Sequence, residues 1–212
     1  MNRWKYVVII AALVAGTAAL VYAKDGEKAA QVPKEAAGAQ ADGDLPSEPA
    51  RTSEVIQSDG QKLKVLYDFK PLPEPVQRTL ADIIFTAETG SMQAMRPVLE
   101  SREFKPMVAA EFVSDPVAYW KEHSIDGTGR DVLAAMLNML AFGFVLTGEG
   151  SDAMYVWPYF AEADITKLTP AQQVEFYRAV PPERAAAMKK SGKYDYYRLG
   201  ISPNGVWHYF IQ

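Results

Sequence analysis

The chain contains no cysteine. Disulfides, zinc–thiolate sites, thiol nucleophiles and lipid attachment at cysteine are therefore excluded. Histidine is nearly absent too. His123 and His208 are the only two, too few for a His-rich metal site, although acidic oxygens for a hard cation remain. Positive charge is not in excess. The net charge is −4, without the high pI or basic stripe expected of a nucleic-acid binder. Catalytic signatures are missing as well. There is no G-x-S-x-G, because "GEGSD" and "TGSMQ" place the serine wrongly, and no S-x-x-K, H-E-x-x-H or Walker sequence. Neither a cofactor nor a metal is implied by any of these patterns.

What is present begins at the N-terminus. "MNRWK" supplies Arg3 and Lys5, and "YVVIIAALVAGTAALVYA", residues 6–23, follows without a charge. A basic start, an apolar run and the small-x-small ending Val21-Tyr22-Ala23 describe a secretory signal peptide. The run is 18 residues long, also enough for an uncleaved membrane anchor across a thinner bilayer. Residues 1–23 are thus expected to be a signal peptide or an N-terminal anchor. Either one places the remainder outside the cytoplasm, in the periplasm or an equivalent compartment. Membrane contact is expected only through residues 6–23, if they are retained.

Residues 24–60 are rich in Ala, Glu, Asp, Gly, Pro and Ser and contain no aromatic residue. Such a stretch buries too little apolar surface to offset its ordering entropy, and reads as a disordered linker. A flexible chain of 37 residues has an r.m.s. span of roughly 30–35 Å.

From residue 61 to 212 the pattern is that of one globular domain. "KLKVLYDF" reads as a short strand. Val76, Leu80, Ile83, Ile84 and Ala87 form one helical stripe, with Pro75 in the first turn and Gly90 at the stop. Ser91 suits the cap of a second short helix, which Pro97 should kink or shorten. Asp115-Pro116 is an N-cap followed by proline at N1. Thr128-x-x-Asp131 has the form of a capping box before "VLAAMLNMLAFGFVLTG", read as a central helix with Leu133, Met136, Leu137, Leu140 and Phe144 on one face. In "LTPAQQVEFYRAV", Thr169 and Gln172 complete a second box, and Val174, Phe176, Tyr177 and Val180 supply apolar surface. Two β-branched and aromatic runs flank Ser202-Pro203-Asn204-Gly205, a hairpin signal. The expected fold is α+β, mostly helical, with a small antiparallel sheet that includes the C-terminal β-hairpin.

The sharpest functional feature is "YVWPYFAE". In an extended segment Tyr155, Trp157 and Tyr159 share one face, and in the hairpin Trp207 and Tyr209 share another. Pro158 marks an edge or a strand end. Side by side, these five rings would make an aromatic platform able to stack on sugars or apolar groups. The competing reading is that they are core, which aromatic residues dominate. Other candidates carry less. "DGTGRD" offers backbone amides and Arg130 to an anion, or serves only as a capped loop. His208 lies between apolar neighbours. Glu149 and Asp152 are one of many carboxylate pairs able to do glycosidase work.

The segments "MYVWPYFAE", "LTPAQQVEFYRAV" and "YDYYRLGISPNGVWHYFI", in this order, resemble a group of uncharacterised exported proteins of alphaproteobacteria. That resemblance implies export and no particular catalytic residue. "ADIIFTAETGSMQAMRPVLE" is similar to the opening helices of NTF2-like domains, which implies a small-ligand pocket. The expected function is an exported, non-catalytic binding or interaction domain of the cell envelope, with a cell-wall component or envelope protein as partner. The alternatives are a peptidoglycan hydrolase and an NTF2-like small-ligand binder.

Overall fold

Six antiparallel strands lie side by side in the order in which the chain makes them: β1 (Thr52–Ile56), β2 (Lys62–Leu66), β3 (Phe144–Thr147), β4 (Met154–Trp157), β5 (Arg198–Ile201) and β6 (Trp207–Ile211). The computed structural model describes residues 51–101 and 104–212. The expected signal peptide or anchor and most of the expected linker lie outside the described residues. Four helices are inserted between β2 and β3: α1 (Glu74–Glu88), α2 (Met95–Glu100), α3 (Pro116–Glu122) and α4 (Arg130–Leu140). Two more, α5 (Pro170–Ala179) and α6 (Pro182–Ser191), lie between β4 and β5. The fold class is α+β. Among the described residues no helix is long and apolar enough to cross a membrane.

The sheet is larger than the sequence suggested, and it starts earlier. Thr52–Ile56, inside the stretch read as linker, pairs with β2 in full register, Thr52 opposite Leu66 and Ile56 opposite Lys62. Its composition is poor in apolar residues, but Val55 sits opposite Leu63 and is buried. Cross-strand contact stabilises the strand where local composition does not.

A second correction concerns α4. The run read as one helix through Phe144 stops at Leu140, and Phe144–Thr147 becomes β3 between β2 and β4. Gly143 allows the change. A Cβ there would sit 2.6 Å from Val65 and 2.8 Å from the Tyr67 ring, so the strands approach only because none is present. The start of α4 also differs. Its N-cap is Gly129, at φ +83°, while the Thr128 hydroxyl donates to Asp126 at 2.6 Å and forms no box. Ser91 makes no side-chain cap; a 3₁₀ turn over Met92–Ala94 leads into α2, with Pro97 tolerated in its first turn.

Other local signals hold. The Asp115 carboxylate accepts from the Ala118 amide at 3.1 Å and caps α3. Thr169 and Gln172 form the reciprocal box that opens α5. The Gln172 side-chain amide also donates to the Glu54 carbonyl at 2.8 Å, tying α5 to β1. That contact, with Asp164 N–H on the Ile56 carbonyl, occupies two carbonyls of the β1 edge. At the opposite edge, Met107 donates to the His208 carbonyl and accepts from Phe210 N–H. Backbone groups at both sheet edges are thus engaged, which discourages pairing with another chain.

The α1 stripe of Val76, Leu80, Ile83 and Ala87 is buried as its period requires. Thr79 donates to the Gly205 carbonyl at 2.7 Å and fixes α1 to the β5–β6 turn. On α5 the expected face holds only in part: Phe176 and Val180 are buried. Val174 and Tyr177 point outward, and Gln172, Glu175, Phe176 and Ala179 point inward.

Candidate functional site

The aromatic row is not a platform. Trp157, Tyr159 and Trp207 are fully buried, and only Tyr155 and Tyr209 keep partial exposure. Tyr159 does not continue the alternation of β4. Pro158 ends the ladder, and Tyr159–Ala161 form a 3₁₀ turn. Trp157 stacks on Phe144 with centroids 4.5 Å apart, and Phe69 closes over its edge at 6.1 Å.

In the hairpin, the register shifts between Gly200 and Ile201. Trp207 pairs with Ile201 and Tyr209 with Gly200, so the two side chains fall on opposite faces. Trp207 meets Trp120 of α3. Tyr209 lies over Gly200, where a Cβ would come within 2.5 Å of its ring. Tyr155 is opposite Ile201, on the Trp207 face, and so is also separated from Tyr209. Burial raises the pKa of both phenols, Tyr209 to about 12, so both are neutral at ordinary pH.

Large apolar side chains are exposed at scattered places, Phe85, Ile125, Leu146, Val174 and Tyr177, and three more fall on one loop. Phe104 is 62% exposed, Met107 47% and Phe112 93%, all on the connection between α2 and α3. This connection has no regular structure over Phe104–Ser114, yet it is held in place. Met107 is hydrogen-bonded to β6, Pro106 and Val108 are buried, and Lys105 Nζ donates to the Ser114 carbonyl at 2.9 Å. Anchoring Pro106 and Val108 inward leaves Phe104, Met107 and Phe112 outward. Single exposed apolar residues are ordinary; three carried by one anchored loop make that loop the candidate interaction segment.

The other candidates resolve as local structure. In "DGTGRD", Asp126 accepts from the Thr128 amide at 2.8 Å and from its hydroxyl, and these bonds lower the Asp126 pKa. The Gly129 amide donates to the Ser124 hydroxyl at 2.9 Å. The amides proposed for an anion are thus engaged within the loop, although a cleft of about 240 Å³ lies beside Lys121 and Arg130. His208 is itself exposed, although Trp207 and Phe210 beside it are buried; its Nε2 is 2.8 Å from the Ser202 hydroxyl. His123 stacks on Tyr119 with its Nδ1 2.9 Å from that residue's carbonyl. Glu149 and Asp152 are exposed in the β3–β4 turn. Among the described residues no group of three or more acidic or histidine side chains is placed to hold a metal ion.

Comparison with protein-family models, with curated proteins and with solved structures returns no match.

One polar cluster escaped the sequence reading. Glu175 is buried on α5, and Tyr159 and Tyr67 each donate to its Oε2 at 3.1 Å. Arg51 pairs with Oε1 and lies 4.2 Å over the Tyr67 ring. Ser53 and Tyr67 hydroxyls are 3.3 Å apart. Burial, reinforced by the Glu175 charge, pushes the Tyr159 phenol far above its ordinary range, so it remains a donor. The cluster joins β1, the segment after β2, the turn after β4 and α5, and it reads as a fully occupied structural staple. The available signal was position: Glu175 lies three residues after Gln172 and four before Ala179, on the helix face that is inward.

Proposed function

We propose that this chain is a non-catalytic interaction module of the cell envelope, carried outside the cytoplasm by residues 6–23. Its contact surface is the Phe104–Phe112 loop, and its partner is an envelope protein or a cell-wall component. The observation that carries this reading is the exposure of Phe104, Met107 and Phe112 on a loop pinned to β6. A pinned loop presents its side chains at little further ordering cost on binding. The buried aromatic row supplies stability to this surface: Trp207 and Phe210 pack on Trp120 of α3, the helix that the loop leads into. The hydrolase alternative finds less support, because Glu149 and Asp152 stand exposed on a turn.

The test uses the full chain in cells of its source, with a photo-crosslinking amino acid at Phe112 or, as control, at exposed Asn138 of α4. A discrete adduct at 112 that is absent at 138 supports a protein partner. Purified full chain mixed with isolated sacculi is assayed in parallel for pelleting and for released muropeptides. Pelleting that Phe112→Ser abolishes supports a wall partner. Release of muropeptides overturns the non-catalytic reading, and neither adduct nor pelleting overturns the loop as contact surface.

A further inference from the structure

A second cleft, of about 420 Å³, lies among the β1–β2 turn, the turn that follows β4 and the α6–β5 connection. Gln57 and Asp59, Ala161 and Glu162, and Lys193 and Tyr194 stand on its walls. This is within the size range of small-molecule sites. Its polar groups are distributed unevenly. Asp59 Oδ1 accepts from the Gln61 amide, and the Tyr194 hydroxyl donates to the Tyr197 carbonyl at 2.8 Å, so both have local roles. Glu162 has none. Among the described residues its carboxylate makes no hydrogen bond and no ion pair, although it is partly buried. Arg198 acts on it electrostatically without reaching ion-pair distance. Lys193 Nζ, exposed at the rim, is likewise not engaged in an ion pair among the described residues.

The contrast with Glu175 is informative. Glu175 is buried and receives two phenols and a guanidinium, whereas Glu162 is partly buried and no group among the described residues donates to it. Unlike the buried Asp131 Oδ1 and Trp157 Nε1, its oxygens keep some contact with solvent, and partial burial still disfavours its charge. Small neighbours keep it accessible: Ala161 and Ala163 flank it in sequence. Burial raises its pKa while Arg198 opposes the rise, and with burial its charge helps to push up that of Tyr209.

We propose that this cleft binds a small zwitterionic ligand of the amino-acid or short-peptide class, its ammonium group on Glu162 and its carboxylate on Lys193. Ammonium on carboxylate is a charge-assisted hydrogen bond, the strong kind in a partly desolvated site. The site is separate from the apolar loop, and each stands or falls alone.

The experiment is an NMR titration of the full chain with alanyl-alanine and with N-acetyl-alanyl-alanine, which lacks the ammonium group. The expected result is saturable shifts of amides in 57–59, 161–163 and 192–194 with the free dipeptide. Acetylation should weaken binding about tenfold or more, as loss of a charged hydrogen bond does. Glu162→Gln should do the same while the spectrum elsewhere stays that of the folded chain, and Lys193→Ala should weaken binding of both peptides. Equal binding of the two peptides, or no saturable shift with either, overturns the proposal. Crosslinking at Phe112 in the Glu162→Gln chain reports on the loop independently.

Discussion

Trp120 of α3 and Trp207 of β6 lie face to face, with ring centroids 6.1 Å apart and planes inclined by 24°. Phe210 meets the same Trp120 edge-on at 6.2 Å. Trp207, one of the residues that looked most like a binding surface, is therefore part of the joint between a helix and the last strand. Trp207→Ala should cost about 3–5 kcal/mol, the usual cost of deleting a buried tryptophan. Phe112→Ala should change stability by no more than about 0.5 kcal/mol, since it removes an exposed side chain. Urea denaturation of the two variants measures both. A large loss of stability in Phe112→Ala would show that the loop residue is packed and undermine its assignment to a contact surface.

The two buried tryptophans should respond differently to phenylalanine. Trp207 Nε1 donates to the Tyr209 carbonyl at 2.9 Å. Trp157 Nε1 is buried without a hydrogen-bond partner among the described residues, surrounded by Phe69, Phe144 and Tyr155. Trp207→Phe loses a bond. Trp157→Phe removes an N–H already desolvated without return. Both lose packing volume, so the difference isolates the hydrogen bond, about 1 kcal/mol. Equal losses in the two variants would contradict this.

The Glu175 staple makes a coupled prediction. Tyr159→Phe removes one donor from a buried carboxylate and should cost about 1.5–3 kcal/mol. Glu175→Leu leaves two phenols and Arg51 without their acceptor. The double variant should be less destabilised than the sum of the singles, because each single change already breaks the same contact. Additive losses in a double-mutant cycle would mean that the hydroxyl and the carboxylate act separately.

Local chemistry was legible in the sequence; pairing partners were not. The Thr169–Gln172 box, the Asp115 cap and the α1 stripe each depend on residues within a few positions, and each is where the sequence placed it. β1 and β3 were missed because four or five residues carry little periodicity, and what holds them is the strand opposite. The aromatic platform failed at Pro158 and at the Gly200/Ile201 register shift, where the simple two-residue alternation of a strand breaks down. Glu162 was invisible, because a glutamate after "YFA" looks like surface until the β1–β2 turn and the α6–β5 connection fold around it.

Glu162 should leave a signature in the pH dependence of stability. Burial holds its folded pKa above the ordinary value, with Arg198 offsetting only part of the rise. In the unfolded chain the group titrates near the usual glutamate value, about 4.3. Between those two values the folded state binds more protons than the unfolded one. Stability therefore falls as pH rises through that window, and the loss persists above it. Glu162→Gln carries no such charge. It should match the wild type near pH 4 and be more stable at pH 7.5, in urea midpoints taken across that range. All other titrating groups are common to the two proteins, so the difference curve belongs to Glu162. A stabilising substitution at an unpartnered carboxylate is what a binding residue retained at a cost to the fold would give. Adding alanyl-alanine at pH 7.5 should then narrow the gap, because a ligand that binds only the folded wild type raises its stability by mass action. A Gln variant less stable than wild type at pH 7.5 would mean that the carboxylate is well partnered in the fold, and the cleft would lose the residue on which its ligand depends.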